Sequence, residues 1–154
     1  MFQEYRKGDF LISTDQSKLD LKTIHNFLRK SYWAENIPYE IFKTSVEHSL
    51  CFGIYHHSRQ IGFARLVTDF STIAYLTDMF ILEDYKNDDL LTWMIKCILS
   101  HPELQKLRRW LLAKKNGLYA PYQFAPLHDP ESFMEIYRPD TYKKHPDHSR
   151  SGKQ

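Results

Sequence analysis

The stretch from Thr72 to Leu91 constrains the chain most, because its hydrophobic period changes partway along. Its first half is apolar and β-branched enough for a buried strand. One carboxylate, Asp78, falls with Leu76 and Phe80 on the same face of the two-residue alternation. Its second half opens a helix: Leu91, Met94, Ile95, Ile98 and Leu99 recur at helical spacing, and the stripe stops at His101-Pro102. A strand that feeds straight into a helix start gathers free backbone N–H groups and the positive end of the helix dipole at one end of a sheet. An anion is suited to that place, and the chemistry is expected there.

The rest of the composition narrows the class. With 154 residues, 42% hydrophobic and 15% aromatic, the chain can bury a full core and reads as one domain over residues 1–140, followed by a disordered polar tail over 141–154. Twenty-one basic against nineteen acidic residues give a net charge of +2, which argues against dedicated nucleic-acid binding. The opening Met-Phe-Gln-Glu-Tyr-Arg-Lys has no signal-peptide core, and no run approaches the roughly 18 apolar residues of a membrane span. A cytoplasmic protein without a membrane partner is expected. Cys51 and Cys97 lie inside apolar patterns and read as buried thiols rather than a disulfide or a metal site.

In chain order, Phe10 to Ser13 is a short strand. Asp20 caps a helix whose apolar face is Leu21, Ile24, Phe27 and Leu28. Ser31 to Pro38 breaks it, and Pro38 suits the first turn of a second helix to about His48, with Ile41, Phe42 and Val46 inward. Leu50 to Tyr55 and Gln60 to Asp69 form a hairpin through His56-His57-Ser58-Arg59. After the central strand and helix, Leu107 to Ala113 is a strand, Asn116-Gly117 a turn, Leu118 to Tyr122 at most a short helix, and Phe124 to Leu127 a final strand. A mixed α/β domain with one layered sheet follows.

Several side chains invite chemistry. The adjacent His56 and His57 suggest a metal, but neighbours in a turn diverge and no third His or Cys stands at ligand spacing, so no metal site is expected. Arg65 shares a strand face with Ile61, Phe63 and Val67. It needs a partner, which Asp69 or a substrate carboxylate could supply. Tyr32 and Trp33 either cover the core at a helix end or face a substrate.

The blocks Ile12-Ser13-Thr14-Asp15, Leu19-Asp20, Ser31-Tyr32-Trp33-Ala34, Leu50-Cys51-Phe52-Gly53, Gly62-Phe63-Ala64-Arg65, Tyr75-Leu76-Thr77-Asp78, His101-Pro102-Glu103-Leu104 and Arg109-Trp110-Leu111-Leu112-Ala113 fall in the order found in small bacterial GNAT acetyltransferases, which the chain resembles from residue 10 to about 136. The resemblance implies an α/β fold with a mixed, mostly antiparallel sheet, flanked by helices, whose central strands splay to admit the pantetheine arm of acetyl-CoA. It also implies direct transfer of an acetyl group to the amine of a small molecule. Backbone pairing with pantetheine then falls on Met79, Phe80, Ile81 and Leu82, and the pyrophosphate loop on Lys86, Asn87, Asp88, Asp89, Leu90 and Leu91. Tyr119 matches the tyrosine that protonates the departing thiolate. Asp78, a carboxylate among apolar neighbours, is the candidate base, and Tyr32, Trp33, Glu35 and Arg65 would shape the acceptor pocket. Homodimers are common in such folds.

The chain departs from that pattern where the family loop reads roughly Arg-Gly-x-Gly-x-Gly. Lys86 to Leu91 contains no glycine, so side chains stand where backbone would approach phosphate. Asn87, Asp88 and Asp89 are also good helix-start residues, able to accept from the same N–H groups a phosphate would use. Downstream, the link Lys114 to Gly117 is short and Gln123 replaces a glycine. Two functions stay open: an acetyl-CoA-dependent N-acetyltransferase, and a catalytically impaired relative kept as a binding or assembly module.

Overall fold

The computed structural model describes residues 1–113 and 124–143. Six strands lie in chain order across one sheet: β1 (Glu4–Lys7), β2 (Phe10–Ser13), β3 (Leu50–His56), β4 (Arg59–Thr68), β5 (Ile73–Ile81) and β6 (Arg109–Leu112). The first five pair antiparallel, and β6 joins β5 in parallel. A parallel neighbour needs a long crossover. Helix α3 (Asp88–Leu99) supplies it.

Helices α1 (Leu21–Leu28) and α2 (Tyr39–Glu47) cover one face of the sheet. Ile24, Leu28, Phe42 and Val46 pack there against Cys51, Phe63 and Phe80. Helix α3 covers the other face, where Met94, Ile95 and Ile98 meet Phe52, Ile54, Leu66, Leu76 and Met79. The cap expected at Asp20 is present: its carboxylate accepts from the Thr23 N–H at 3.2 Å. The Asp20 N–H donates to Gln60 Oε1 at 2.7 Å, fastening the start of α1 to β4.

The structure corrects several local expectations. Strand β1 adds to the expected elements: Glu-Tyr-Arg-Lys has no strand signature, and backbone pairing with β2 makes it a strand. The hairpin turn is shorter than expected, with only His57 and Ser58 between the strands, and His57 sits at φ 56°. Pro38 is the N-cap of α2 rather than part of its first turn, and Ile41 points outward at 46% exposure. Residues 124–127 are not a strand, although Phe124 packs against the α3-side core. The expected turn at Asn116-Gly117, the short helix from Leu118 to Tyr122, and residues 144–154 of the expected tail lie outside the described residues.

The most consequential difference lies in β5. Phe80 pairs with Phe63 and Thr77 with Arg65, so Asp78 and Met79 stand opposite the single residue Ala64. That extra residue is a β-bulge, and Asp78 absorbs it in the left-handed conformation at φ 55°. The simple alternation that would put Leu76 and Phe80 on one face is broken. Leu76 stays in the α3-side core, while Phe80 turns to the α1/α2 side and stacks on Phe27.

Candidate functional site

The pairing of β5 with β6 runs from Ile73↔Arg109 to Leu76↔Leu112. Beyond Leu76 the edge of β5 has no strand partner among the described residues. A cavity of about 210 Å³ opens where the two strands part, lined by Trp33, Arg65, Asp78, Met79 and Leu112 among others. The bulge places the Asp78 carboxylate against this cavity. Sequence periodicity could not show that, because one inserted residue changes which face each side chain takes.

Asp78 is the hub of a polar network in a largely apolar wall. Its Oδ2 accepts from Arg65 Nε at 2.8 Å and its Oδ1 from Trp33 Nε1 at 2.9 Å. Arg65 also donates from one terminal nitrogen to Ser49 Oγ at 3.1 Å. Asp69, one of the two partners open to Arg65 from the sequence, does not pair with it. Asp69 instead accepts backbone N–H groups from Thr72, Ser71 and Ile73, and these bonds, that from Thr72 foremost, hold its carboxyl well below the usual carboxylate range. Asp78 is 8% exposed, so the ion pair satisfies a charge that burial would otherwise penalise. Each carboxylate oxygen keeps lone-pair capacity after these bonds, enough to meet a further donor from the cavity.

The other predicted pocket residues divide. Trp33 and Arg65 hold Asp78, and Tyr32 stands at the rim, 61% exposed, edge-on to the Trp33 ring. Glu35 is exposed and does not line the cavity. Tyr119 lies outside the described residues. Two contributors went unforeseen: Ser49, a residue with no distinguishing pattern, and Tyr142, which lies past the expected domain end yet lines the cavity. Cys51, beside the ion pair, is no nucleophile. Burial pushes its thiol up to about 12, with the nearby Arg65 charge pulling only partly the other way.

Along β5, Met79, Phe80 and Ile81 are buried, and the Leu82 N–H donates to Ile61 O at 2.8 Å. The open β5 edge near Met79 fits an extended arm, but the Leu82 N–H is already used. At the start of α3, Asn87 is the N-cap: its Oδ1 accepts from the Leu90 N–H at 2.7 Å, and its carbonyl accepts from the Leu91 N–H at 3.2 Å. Lys86 pairs with Glu83 at 3.3 Å, Asp88 and Asp89 are exposed, and Leu90 is buried. A groove of about 550 Å³ runs between these first residues of α3 and the β1–β2 turn at Lys7 to Phe10. The helix start thus supplies its own cap, and its first turn carries two carboxylates. It does not match the glycine-lined cradle of the family loop.

A mixed six-stranded sheet flanked by helices, whose strand β5 parts from its parallel neighbour β6 and leads on to α3, matches the fold of solved GNAT acetyltransferases. A solved protein from Xanthomonas campestris pv. campestris, assigned to the GNAT family of acetyltransferases, is 40% identical, with a TM-score of 0.82 over 88% of this chain and 97% of that one. The chain therefore belongs to the GNAT acetyltransferase family. A Gibberella zeae protein carrying an acetyltransferase assignment is 28% identical over 116 residues, 62% of this chain and 66%, just under two thirds, of its own length. A Clostridium acetobutylicum structure containing acetyl-CoA shares the fold at a TM-score of 0.56 and 12% identity, over 89% of this chain and 95% of that one. No protein-family model matches the chain.

Proposed function

We propose that the protein is an acetyl-CoA-dependent N-acetyltransferase acting on the amine of a small molecule. The observation that carries this is the buried Asp78 carboxylate, held by Arg65 and Trp33 at a cavity where β5 and β6 part. Acetyl-CoA would lie with its arm along the open β5 edge near Met79 and supply the acetyl group as a thioester. Asp78 would orient the acceptor's ammonium and take its proton, directly or through water. Tyr32 and Trp33 would pack the acceptor's apolar part. In the overall exchange, the freed amine forms a C–N bond to the acetyl carbon, the C–S bond breaks, and the thiolate regains a proton, for which Tyr119 is the candidate donor. The same reading keeps one domain, extended past residue 140 by Tyr142 at the cavity, in a cytoplasmic setting, and is compatible with a homodimer.

A second reading is favoured by the start of α3. With Asn87 capping the helix and no glycine from Lys86 to Leu91, the protein would be a non-catalytic relative serving as a binding or assembly module. Acetyl-CoA separates the two. At about one hundred times its dissociation constant it should add roughly 2.7 kcal/mol and raise the melting temperature by about 5–10 °C. Turnover is then read as CoA release across a panel of amines, with Asp78→Asn expected to abolish release while leaving acetyl-CoA binding in place. A silent melt and a silent calorimetric titration at millimolar acetyl-CoA would favour the module. Glycine at positions 87, 89 and 91 would then test whether the loop alone closes the site.

A further inference from the structure

We propose that Asp9, His56 and His57 form a binding site for a divalent transition ion of the zinc class, at the sheet end where two turns meet. Their ligand atoms, one from each residue, all lie within 4.8 Å of one another. Of the two grounds for expecting no metal at the histidine pair, divergence of the rings does not hold, and the absence of a third His or Cys is met by a carboxylate, Asp9. The rings do not diverge: His57 takes a left-handed backbone, which brings the two ring centroids to 4.3 Å. The third ligand was invisible in the sequence because it comes from the other hairpin. There Gly8, at φ 58°, turns the chain from β1 into β2, and the Asp9 carbonyl accepts from the His57 N–H at 3.4 Å.

His56 has an outer partner that can fix it as a ligand. It stacks on Phe10 at 4.9 Å, and its Nδ1 lies 2.9 Å from the Tyr85 hydroxyl. With Nδ1 donating to that oxygen, Nε2 carries the lone pair, the arrangement in which an outer partner fixes a metal-binding imidazole. Zinc bonds of about 2.0–2.2 Å place tetrahedral ligand atoms about 3.4 Å apart. Asp9 and His57 are both exposed, so side-chain rotation is the route by which the triangle would close from its present span. Two imidazoles and one carboxylate suit zinc, nickel or copper better than magnesium or calcium, which favour all-oxygen shells. Three protein ligands leave a position for water.

The place is separate from the acceptor cavity, since Arg59 begins β4 six residues before Arg65, about 20 Å along the strand. Two cations on these turns are engaged elsewhere: Arg59 lies over the Tyr85 ring at 5.6 Å and Lys7 over the Trp93 ring at 5.9 Å. An ion here would clamp the two turns together. It would also add positive charge at the rim of the groove that Asp9 shares with Asp88 and Asp89.

The test is calorimetric titration of the full, tag-free chain with zinc chloride after chelator treatment, with histidine ring resonances followed in parallel. One equivalent of zinc should bind and move the His56 and His57 resonances, while magnesium should not. Asp9→Asn and His57→Asn should each weaken zinc binding at least tenfold, and Tyr85→Phe about tenfold through the outer partner. Asparagine at 57 keeps a residue that tolerates the left-handed backbone, and thermal melts confirm that each variant folds. A His145→Gln/His148→Gln variant, which removes the histidines near the carboxyl terminus, should leave binding unchanged. No zinc uptake by the unaltered chain overturns the proposal. So does uptake that survives Asp9→Asn and His57→Asn but vanishes in the His145/His148 variant.

Discussion

Asp78 carries a backbone conformation and a charge that each depend on a neighbour. The left-handed turn at the bulge is tolerable for aspartate and worse for residues that lack its short polar side chain. The charge is balanced by Arg65 and bonded by Trp33. Arg65→Met should therefore destabilise the protein by about 3 kcal/mol, because it leaves the buried carboxylate without its cation. Asp78→Ala should cost about 1 kcal/mol more than Asp78→Asn, since alanine adds left-handed strain. Urea denaturation of the three variants checks both differences, and equal midpoints for Asp78→Ala and Asp78→Asn would remove the strain argument. Thiol reactivity belongs to the same scale. Burial pushes Cys51 up to about 12 and Cys97 to about 11, so a thiol reagent should leave both unmodified in the folded protein and titrate both in denaturant. Rapid labelling of native protein would contradict their burial.

Among the elements, the start of α3 decides between phosphate site and self-capped helix. Removing the cap with Asn87→Ala should cost about 1 kcal/mol in an equilibrium melt. If instead the variant matches the unaltered protein in stability, the cap contributes little and the helix start is more open than its bonds suggest. The β4 strand is pinned just as closely. A Cβ at Gly62 would run into the Ile54 side chain and stand 2.9 Å from the Phe80 carbonyl oxygen, so Gly62→Ala should destabilise by about 1–3 kcal/mol. The backbone oxygen cannot move away without disturbing the β4–β5 ladder that sets the bulge, so the same variant should also weaken any acetyl-CoA binding.

For the whole molecule, pH acts through His101, buried at the end of α3, where its Nδ1 accepts from the Glu103 N–H at 3.1 Å. Burial lowers its proton affinity below the ordinary histidine value, with Glu103 pulling the other way. Below about pH 6.5 the unfolded chain then binds more protons than the folded one. The stabilisation is full above that pH and is lost as the pH falls toward the lowered folded value. Thermal melts between pH 7.5 and 5.5 should show the decline, and His101→Asn, which can still cap the turn, should flatten it. Asp69, titrating lower still, does not contribute in that window. Hydrophobic period, capping residues and proline act over a few neighbouring positions, and they are enough to read the layered α/β class, β2, the capped α1, the strand-to-helix passage at Thr72 to Leu91 and the buried thiols from the amino-acid order. It also singled out Asp78, Arg65 and Trp33 one by one. That these three form one network, that an extra residue in β5 sends Leu76 and Phe80 to opposite faces, and that Asp9 meets His56 and His57 become visible once the strands are paired. Each of these depends on register and on contacts between distant segments, and a one-residue shift in pairing reverses every side chain beyond it while leaving local composition unchanged.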